Sequence, residues 1–429
     1  MDHSLLAAAL PGWPAHPIVI AAVVIGFYMA WNIGANDVAN AMGTSVGSKA
    51  LTFRQAVVVA AIFEFAGAVL VGSSVTDTVR QGIINPNDFA ATPDVLMYGM
   101  LSALLAAAIW LNVATYFGQP VSTTHSIVGG VFGFGLVAGA SSISWSTMGR
   151  IVASWFISPV ASGLLGMLVF WLILKLIIRA KDPDLNAARY APFFVFVVVF
   201  VLVLSVIYKG LKSVEFFREM QLGVALGWAA GIAVVGSIFS WFVIARIARE
   251  MAITEDAKFT FTERIFASLQ ILTACYVAFA HGANDVANAV GPLAAVYHIH
   301  TQGTVEMSVG VPIWILAFGG LGIVAGLIMM GWRVMRTIGT KITEITPSRG
   351  FAAQFAGATA VLVCSRMGMP VSTTHCLVGG VMGVALVRGV TAVDAKTVSN
   401  IFVSWIITVP IAAVLTIVIY GGFWLFVIR

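Results

Sequence analysis

The residues best suited to chemistry sit in two short strings, each present twice. Gly34-Ala35-Asn36-Asp37-Val38-Ala39-Asn40-Ala41 recurs letter for letter 248 positions later, so Asn284, Asp285 and Asn288 repeat Asn36, Asp37 and Asn40. Each copy sets one carboxylate and two carboxamides inside an apolar run. An Asp at the centre of a membrane helix costs about 2.5–3.5 kcal/mol on insertion scales, so something must compensate it. A bound cation is the natural partner. Carboxylate and amide oxygens are hard ligands, suited to Na+. Asn36 and Asn40 are four apart and share a face if the helix is continuous. Gly34 and Gly282 are placed to let the helix break and free carbonyls for coordination. The plainer alternative, that these polar groups only tie helices together, is weakened by the duplication.

The second string, Pro120-Val121-Ser122-Thr123-Thr124-His125, returns as Pro370 to His375. Gly118 and Gly368 precede the prolines by two residues. Gly then Pro reads as a break followed by a fresh helix start. Ser122, Thr123 and Thr124, with their copies Ser372, Thr373 and Thr374, then lie on first turns. There the hydroxyls, the free N–H groups and the helix dipole make an anion site. An oxyanion needs several converging donors without a fixed positive charge that would trap it. The alternative is that these hydroxyls only cap or back-bond their helices. His125 and His375 could donate to the anion, orient a hydroxyl or take up a proton; plain packing is an equal alternative.

Three further residues lack a duplicate. Asn32 faces Ala280 in the alignment of the two copies, and serves one half only or nothing. Glu64, in the second apolar segment, could bind a cation, relay a proton or act as interior glue. Arg366 stands where the first half has Tyr116; it could attract the anion, neutralise Asp285 or reach interfacial water.

The elements that must position these groups follow from composition. Of 429 residues, 60% are hydrophobic and only 10% charged, against about a quarter charged in a soluble domain. Apolar stretches fall at 18–46, 55–75, 95–117, 120–140, 146–176, 191–210, 222–246, 265–290, 311–332, 350–366, 370–388 and 400–428. Most have the ~20 residues that cross a bilayer core, and none shows the strict alternation of barrel strands. The expected fold is all-α, a polytopic membrane protein of about twelve transmembrane or re-entrant helical segments with interrupted helices and helical hairpins. Segments 95–117 and 120–140 are either two crossings or a re-entrant hairpin; the hairpin brings both Ser-Thr-Thr tips near the midplane and is preferred. The three cysteines lie in apolar stretches and form no disulfide framework. No secretory signal peptide is read at the N-terminus. The net charge of +5 is a topology signal and implies no nucleic acid.

Seven segments separate the first acidic helix from its copy, and an odd number reverses direction. The expected organisation is a short external segment at 1–17, a first inverted repeat at 18–178, connecting segments at 179–264 and a second inverted repeat at 265–429. Inverted repeats characterise many secondary transporters, with sites near the midplane between the halves. Starting outside places sixteen of the 23 Lys and Arg residues in inner loops. Both termini are therefore expected outside, and the charged loop 246–264 in the cytoplasm.

Together the two duplicated strings closely resemble those of the inorganic phosphate transporter (Pit) family, in family order and over nearly the whole chain. Without a large central insertion, the chain looks like a prokaryotic member in a cell (inner) membrane. The resemblance implies phosphate symport with Na+ or H+ by alternating access in the lipid bilayer, often as a homodimer, with no enzyme activity and no cofactor beyond the coupling ion. It places Asn36, Asp37, Asn40, Asn284, Asp285 and Asn288 at ion sites and the two Ser-Thr-Thr strings on phosphate, which the aspartates could also touch. Relatives can carry sulfate, so a sulfate or other oxyanion symporter is the near alternative. An intramembrane hydrolase using Ser122 and His125 as nucleophile and base, and a passive anion channel, belong to other classes. The duplication argues against the first and the buried carboxylates against the second.

Overall fold

A computed structural model describes residues 17–72, 83–207, 220–253, 260–305, 311–366 and 371–428, with the side chains at 251–253, 365, 366 and 428 outside that description. Among these residues there is no strand, only an isolated antiparallel bridge between Ile84 and Ile143. The helices are α1 (Pro17–Gly47), α2 (Phe53–Val71), α3 (Pro93–Tyr116), α4 (Thr123–Ala138), α5 (Trp145–Ile173) and α6 (Pro183–Ser205). There follow α7 (Leu222–Ile253), α8 (Phe261–Gln302), α9 (Ile313–Met330), α10 (Pro347–Arg366), α11 (Thr373–Leu386) and α12 (Ala395–Phe423). A short helical turn at Trp332–Arg336 follows α9. Nine of the described helices are long and apolar enough to cross a bilayer. At 16 residues α4 is about 24 Å long, short of the ~30 Å hydrocarbon core, and α11 is shorter still.

Local sequence sets most of the ends. Thr52 caps α2 with a full capping box to Gln55. Asp182 caps α6 and Pro183 supplies its first residue, so this helix starts eight residues before the apolar run that announced it. Thr260 caps α8, which runs through Pro292 to Gly303, where φ reaches +70°. It is longer than the expected 265–290 because a proline within a packed membrane helix is tolerated.

One expectation fails here. α1 and α8 pass through Gly34 and Gly282 without interruption. The glycines serve close packing instead. A Cβ on Gly34 would stand 1.8 Å from the carbonyl oxygen of Ile323 on α9, and one on Gly282 would stand 2.1 Å from that of Glu64 on α2. Membrane helices gain van der Waals contact where small residues let backbones meet, and there is no room here for even a methyl group. The break in the described chain lies at Gly118 (φ +65°), between α3 and α4. The corresponding Gly368 lies outside the described residues.

The two halves exchange partners. α1 packs extensively on α9 and α8 on α2, while α5 packs on α11 and α12 on α4. Each of these contacts joins an element of one half to an element of the other. α6 and α7 pack mainly on each other, with α6 also lying against α8. Two large apolar cores result, beside a small cluster around Val361 and Cys376: one gathers α1, α3, α4 and the second half of α8, the other the C-terminal end of α1 with α5, α6, the first half of α8, α10 and α11. The apolar residues of the acidic strings join both, Val38, Ala39 and Ala41 the second and Val286 and Ala289 the first.

Candidate functional site

The acidic string of each half meets the hydroxyl string of the other. Asp37 on α1 accepts from Thr374 Oγ1 (3.0 Å) at the start of α11, and Asn40 Nδ2 donates to the same hydroxyl at 2.8 Å. Asp285 on α8 accepts through Oδ2 from Thr373 Oγ1 of its own half (3.0 Å), and the crossing from this side is made by its neighbour one turn on. Asn288 Nδ2 donates to Thr123 Oγ1 (3.2 Å) and Thr124 Oγ1 (3.4 Å) at the start of α4. The two starts also touch directly, Thr374 Oγ1 donating to the carbonyl of Val121 (3.3 Å). All these side chains are buried. Asp37 Oδ2 and Asn40 Oδ1 keep no hydrogen-bond partner, and so remain available as oxygen ligands.

The helix starts are built by their serines. Ser122 and Ser372 stand at N-cap positions with the same extended backbone (φ −87°), and each accepts from the N–H three residues on, at His125 and His375. This satisfies one of the orphan donors of each first turn. Asn36 holds the first tip in place: its Nδ2 donates to Thr115 Oγ1 (2.9 Å) and the Gln119 carbonyl (3.0 Å), and its Oδ1 accepts from the Val121 N–H (3.1 Å). Arg333 donates to the Tyr116 carbonyl and Thr337 to that of Gly118, both at 2.8 Å. Asn284, partly exposed, donates instead to its neighbour Asp285 (2.9 Å).

Between the aspartates lies a residue that the sequence reading overlooked. His281, fully buried, places Nε2 2.8 Å from Asp285 Oδ2 and 3.8 Å from Asp37 Oδ2, and Nδ1 3.2 Å from Glu64 Oε1. These are ion-pairing distances without hydrogen-bond geometry, since neither ring nitrogen nor either Glu64 oxygen has a hydrogen-bond partner. Asp37, His281 and Asp285 each offer a ligand atom within 4.8 Å of the others. Three carboxyl groups with a single basic side chain leave the pocket short of positive charge wherever all three are ionised, which is the arrangement a cation relieves. The signal was present: a lone His four residues before Asp285 shares its helix face.

The cluster also explains why Glu64 has no acidic counterpart. Gly282 touches Glu64 and its duplicate Gly34 touches Ile323. Ile323 thus occupies the place matching Glu64, and Ile33 precedes Gly34 as His281 precedes Gly282. Both isoleucines are fully buried. A polar pair on one side of the site is an apolar pair on the other.

The remaining candidates fall away from this centre. Asn32 donates to the Tyr28 carbonyl of its own helix (2.8 Å). The His125 and His375 rings contact one another (centroids 4.3 Å apart) and stack near Trp155 and Trp405. No His125 ring nitrogen meets Ser122, whose hydroxyl is held by the His125 backbone, so no nucleophile–base pair forms and the hydrolase reading is corrected. The Arg366 side chain lies outside the described residues.

Comparison with known proteins points the same way. A model described as "Phosphate transporter family" matches residues 33–416. A relative from Thermococcus kodakarensis, named "putative phosphate permease", is 47% identical and covers 93% of this chain and 96% of its own. "Inorganic phosphate transporter 2-1, chloroplastic" from Arabidopsis thaliana is 45% identical, covering 93% of this chain and 71% of its own. A solved structure titled "The sodium-dependent phosphate transporter" superimposes with a TM-score of 0.85 at 41% identity, over 96% of this chain and all of its own.

Proposed function

The chain belongs to the phosphate transporter family, and from that premise we propose that it is a cation-coupled phosphate symporter of the cell (inner) membrane, with Na+ the favoured ion and H+ the other occupant the same carboxyls admit. The protein is a multi-pass membrane transporter and not an enzyme. The observation that carries the reading is the reciprocal hydrogen bonding of Asp37 and Asn40 to Thr374, and of Asn288 to Thr123 and Thr124. Each half supplies an acid–amide string to the other half's hydroxyl-bearing helix start.

In this reading phosphate sits on Ser122, Thr123, Thr124, Ser372, Thr373 and Thr374, using hydroxyls and first-turn N–H groups. Na+ sits beside it on oxygens of Asp37, Asn40, Asp285, Asn284 and Asn288. Asn36 contributes through the tip it braces and through the second lone pair of its amide oxygen. Each ligand offsets the other's charge, so each tightens the other's binding. Alternating access follows if 18–178 and 265–429 are antiparallel repeats that rock about the site, with α3–α4 and α10–α11 as re-entrant hairpins and both termini outside. The exchanged packing of α1, α9, α2 and α8 supports that symmetry.

Phosphate is favoured over sulfate by simple proton counting. Near neutral pH phosphate keeps at least one P–OH proton and can donate to Asp37 or Asp285, whereas sulfate has none, and an acceptor facing an acceptor is left unpaired. Uptake of radiolabelled phosphate into proteoliposomes, with Na+ replaced by choline at fixed pH, tests the coupling. The expected result is loss of accumulation in choline and little competition by sulfate. Accumulation indifferent to both Na+ and pH gradients overturns it.

A further inference from the structure

His125 and His375 are a buried pair that the site above does not use. Their rings are 1% and 2% exposed, and none of their four nitrogens has a hydrogen-bond partner among the described residues. Burying a polar group without a partner costs free energy, and here the same omission occurs twice.

Both imidazoles line one cavity of about 550 Å³, walled by α5, α11 and α12. Its lining runs along α5 from Val152 to Met167, about 22 Å of helix, and includes no Asp, Glu, Lys or Arg. The mouth is formed by Phe156, Val160, Leu164 and Ile406, each 60% or more exposed. These residues belong to two apolar spans, α5 and α12. The cavity therefore opens sideways, onto the surface that meets lipid, and not toward the polar site.

We propose that this cleft is a lateral binding site for a neutral, single-chain amphiphile entering from the bilayer, with its chain along α5 and its hydroxyl on His125 and His375. The shape asks for one extended apolar chain, and the volume lies within the usual range for ligand pockets lined by apolar and aromatic groups with a few placed polar atoms. The polar atoms ask for a hydroxyl. A neutral imidazole offers one donor and one acceptor, and a hydroxyl answers both. The uncharged lining excludes a carboxylate, ammonium or zwitterionic head, which would be stranded without a counter-charge. The depth excludes a phospholipid head: the imidazoles are one residue beyond Thr124 and Thr374, on the first turns of α4 and α11 and level with a polar site that lies well inside the span of α8. The backbone N–H groups of His125 and His375 donate to Ser122 and Ser372, so the occupant would touch both helix starts from behind.

Full-length protein in proteoliposomes, photolabelled with a diazirine-bearing long-chain alcohol and mapped by peptide mass spectrometry, tests this without any assay of transport. Labelling of 152–167 and 402–406 should exceed, by about tenfold, that of the equally exposed α7 face around Val235 and Phe239. Unlabelled 1-hexadecanol should compete about tenfold better than hexadecane, the size of one hydrogen bond. Val160→Trp, which fills the mouth from the lipid side, should abolish the preference for this cleft, and His125→Phe with His375→Phe should make alcohol and alkane equal. Equal competition in the unaltered protein, labelling no greater than on α7, or copy-to-copy cross-linking through Val160 that shields the cleft would each overturn the proposal.

Discussion

Asp37 accepts a 3.0 Å hydrogen bond from Thr374, a residue 337 positions further along the chain. Neither partner carries meaning alone: the acid needs a donor in a dry interior, and the hydroxyl needs an acceptor at a helix start. Their meeting joins the two halves at the centre of the proposed site.

Removing that hydroxyl tests its role. Thr374→Val keeps shape and deletes the bonds to Asp37 and Asn40. Phosphate affinity should fall by about 10- to 100-fold, read as a rise in KM for uptake, while Thr374→Ser retains most of it. Unchanged KM in the valine variant would remove the hydroxyl string from the site.

The aspartates should be less replaceable. Asp37→Asn and Asp285→Asn preserve volume but remove the charge that calls for a cation. Each should lower Na+-driven uptake by about a hundredfold or more, the loss of one strong charge-assisted contact. Normal accumulation in both variants would refute the ion-site assignment.

The His281–Glu64 pair invites a double exchange. Its mirror position holds Ile33 and Ile323, so the same packing can be apolar. His281→Ile alone strands Glu64 and should cost about 3–5 kcal/mol of stability, whereas adding Glu64→Ile should recover most of it. Thermal unfolding in detergent reads both. Na+ dependence should change in either variant, because the charge beside Asp285 is altered.

Helix contact through glycine gives a fourth test. Gly282→Ala would drive a methyl into the Glu64 carbonyl and should destabilise by about 1–3 kcal/mol or more; Gly34→Ala should do the same against Ile323. Gly231 on α7 has open space around it, and Gly231→Ala should be neutral or slightly stabilising. The comparison is made by unfolding midpoints in one detergent.

Asn36 predicts a local effect. Asn36→Ala frees the tip from Thr115, Gln119 and Val121. Amide exchange at 118–122 should quicken by about tenfold or more, with a weaker KM for phosphate and little change in unfolding midpoint.

Much of this was legible in the chain as written. The duplicated strings, the fresh helix starts behind Pro120 and Pro370 and the helical character of the apolar runs are local properties, fixed by residue type and spacing within one or two turns; that Ser122 and Ser372 cap those starts, instead of lying on the first turn, was the alternative reading. That Asp37, Asn40 and their copies sit inside apolar helices was legible for the same reason. The role of Gly34 and Gly282 was misread, because a glycine that permits a bend and a glycine that permits contact look alike until the neighbouring helix is known. The reach of α8 past Pro292 depended likewise on packing around the proline.

The sequence by itself determined which groups are costly in lipid, that they come in two matched sets, and that helices must carry them, since burial energy and backbone satisfaction act on each segment independently. Only the tertiary structure decided which acid meets which hydroxyl, that His281 joins Glu64 to Asp285, and that His125 and His375 line a cleft beside α5 and α12. Those outcomes depend on side chains far apart in the chain arriving within 3–4 Å, a distance set by helix packing and by the absence of a Cβ where two backbones touch.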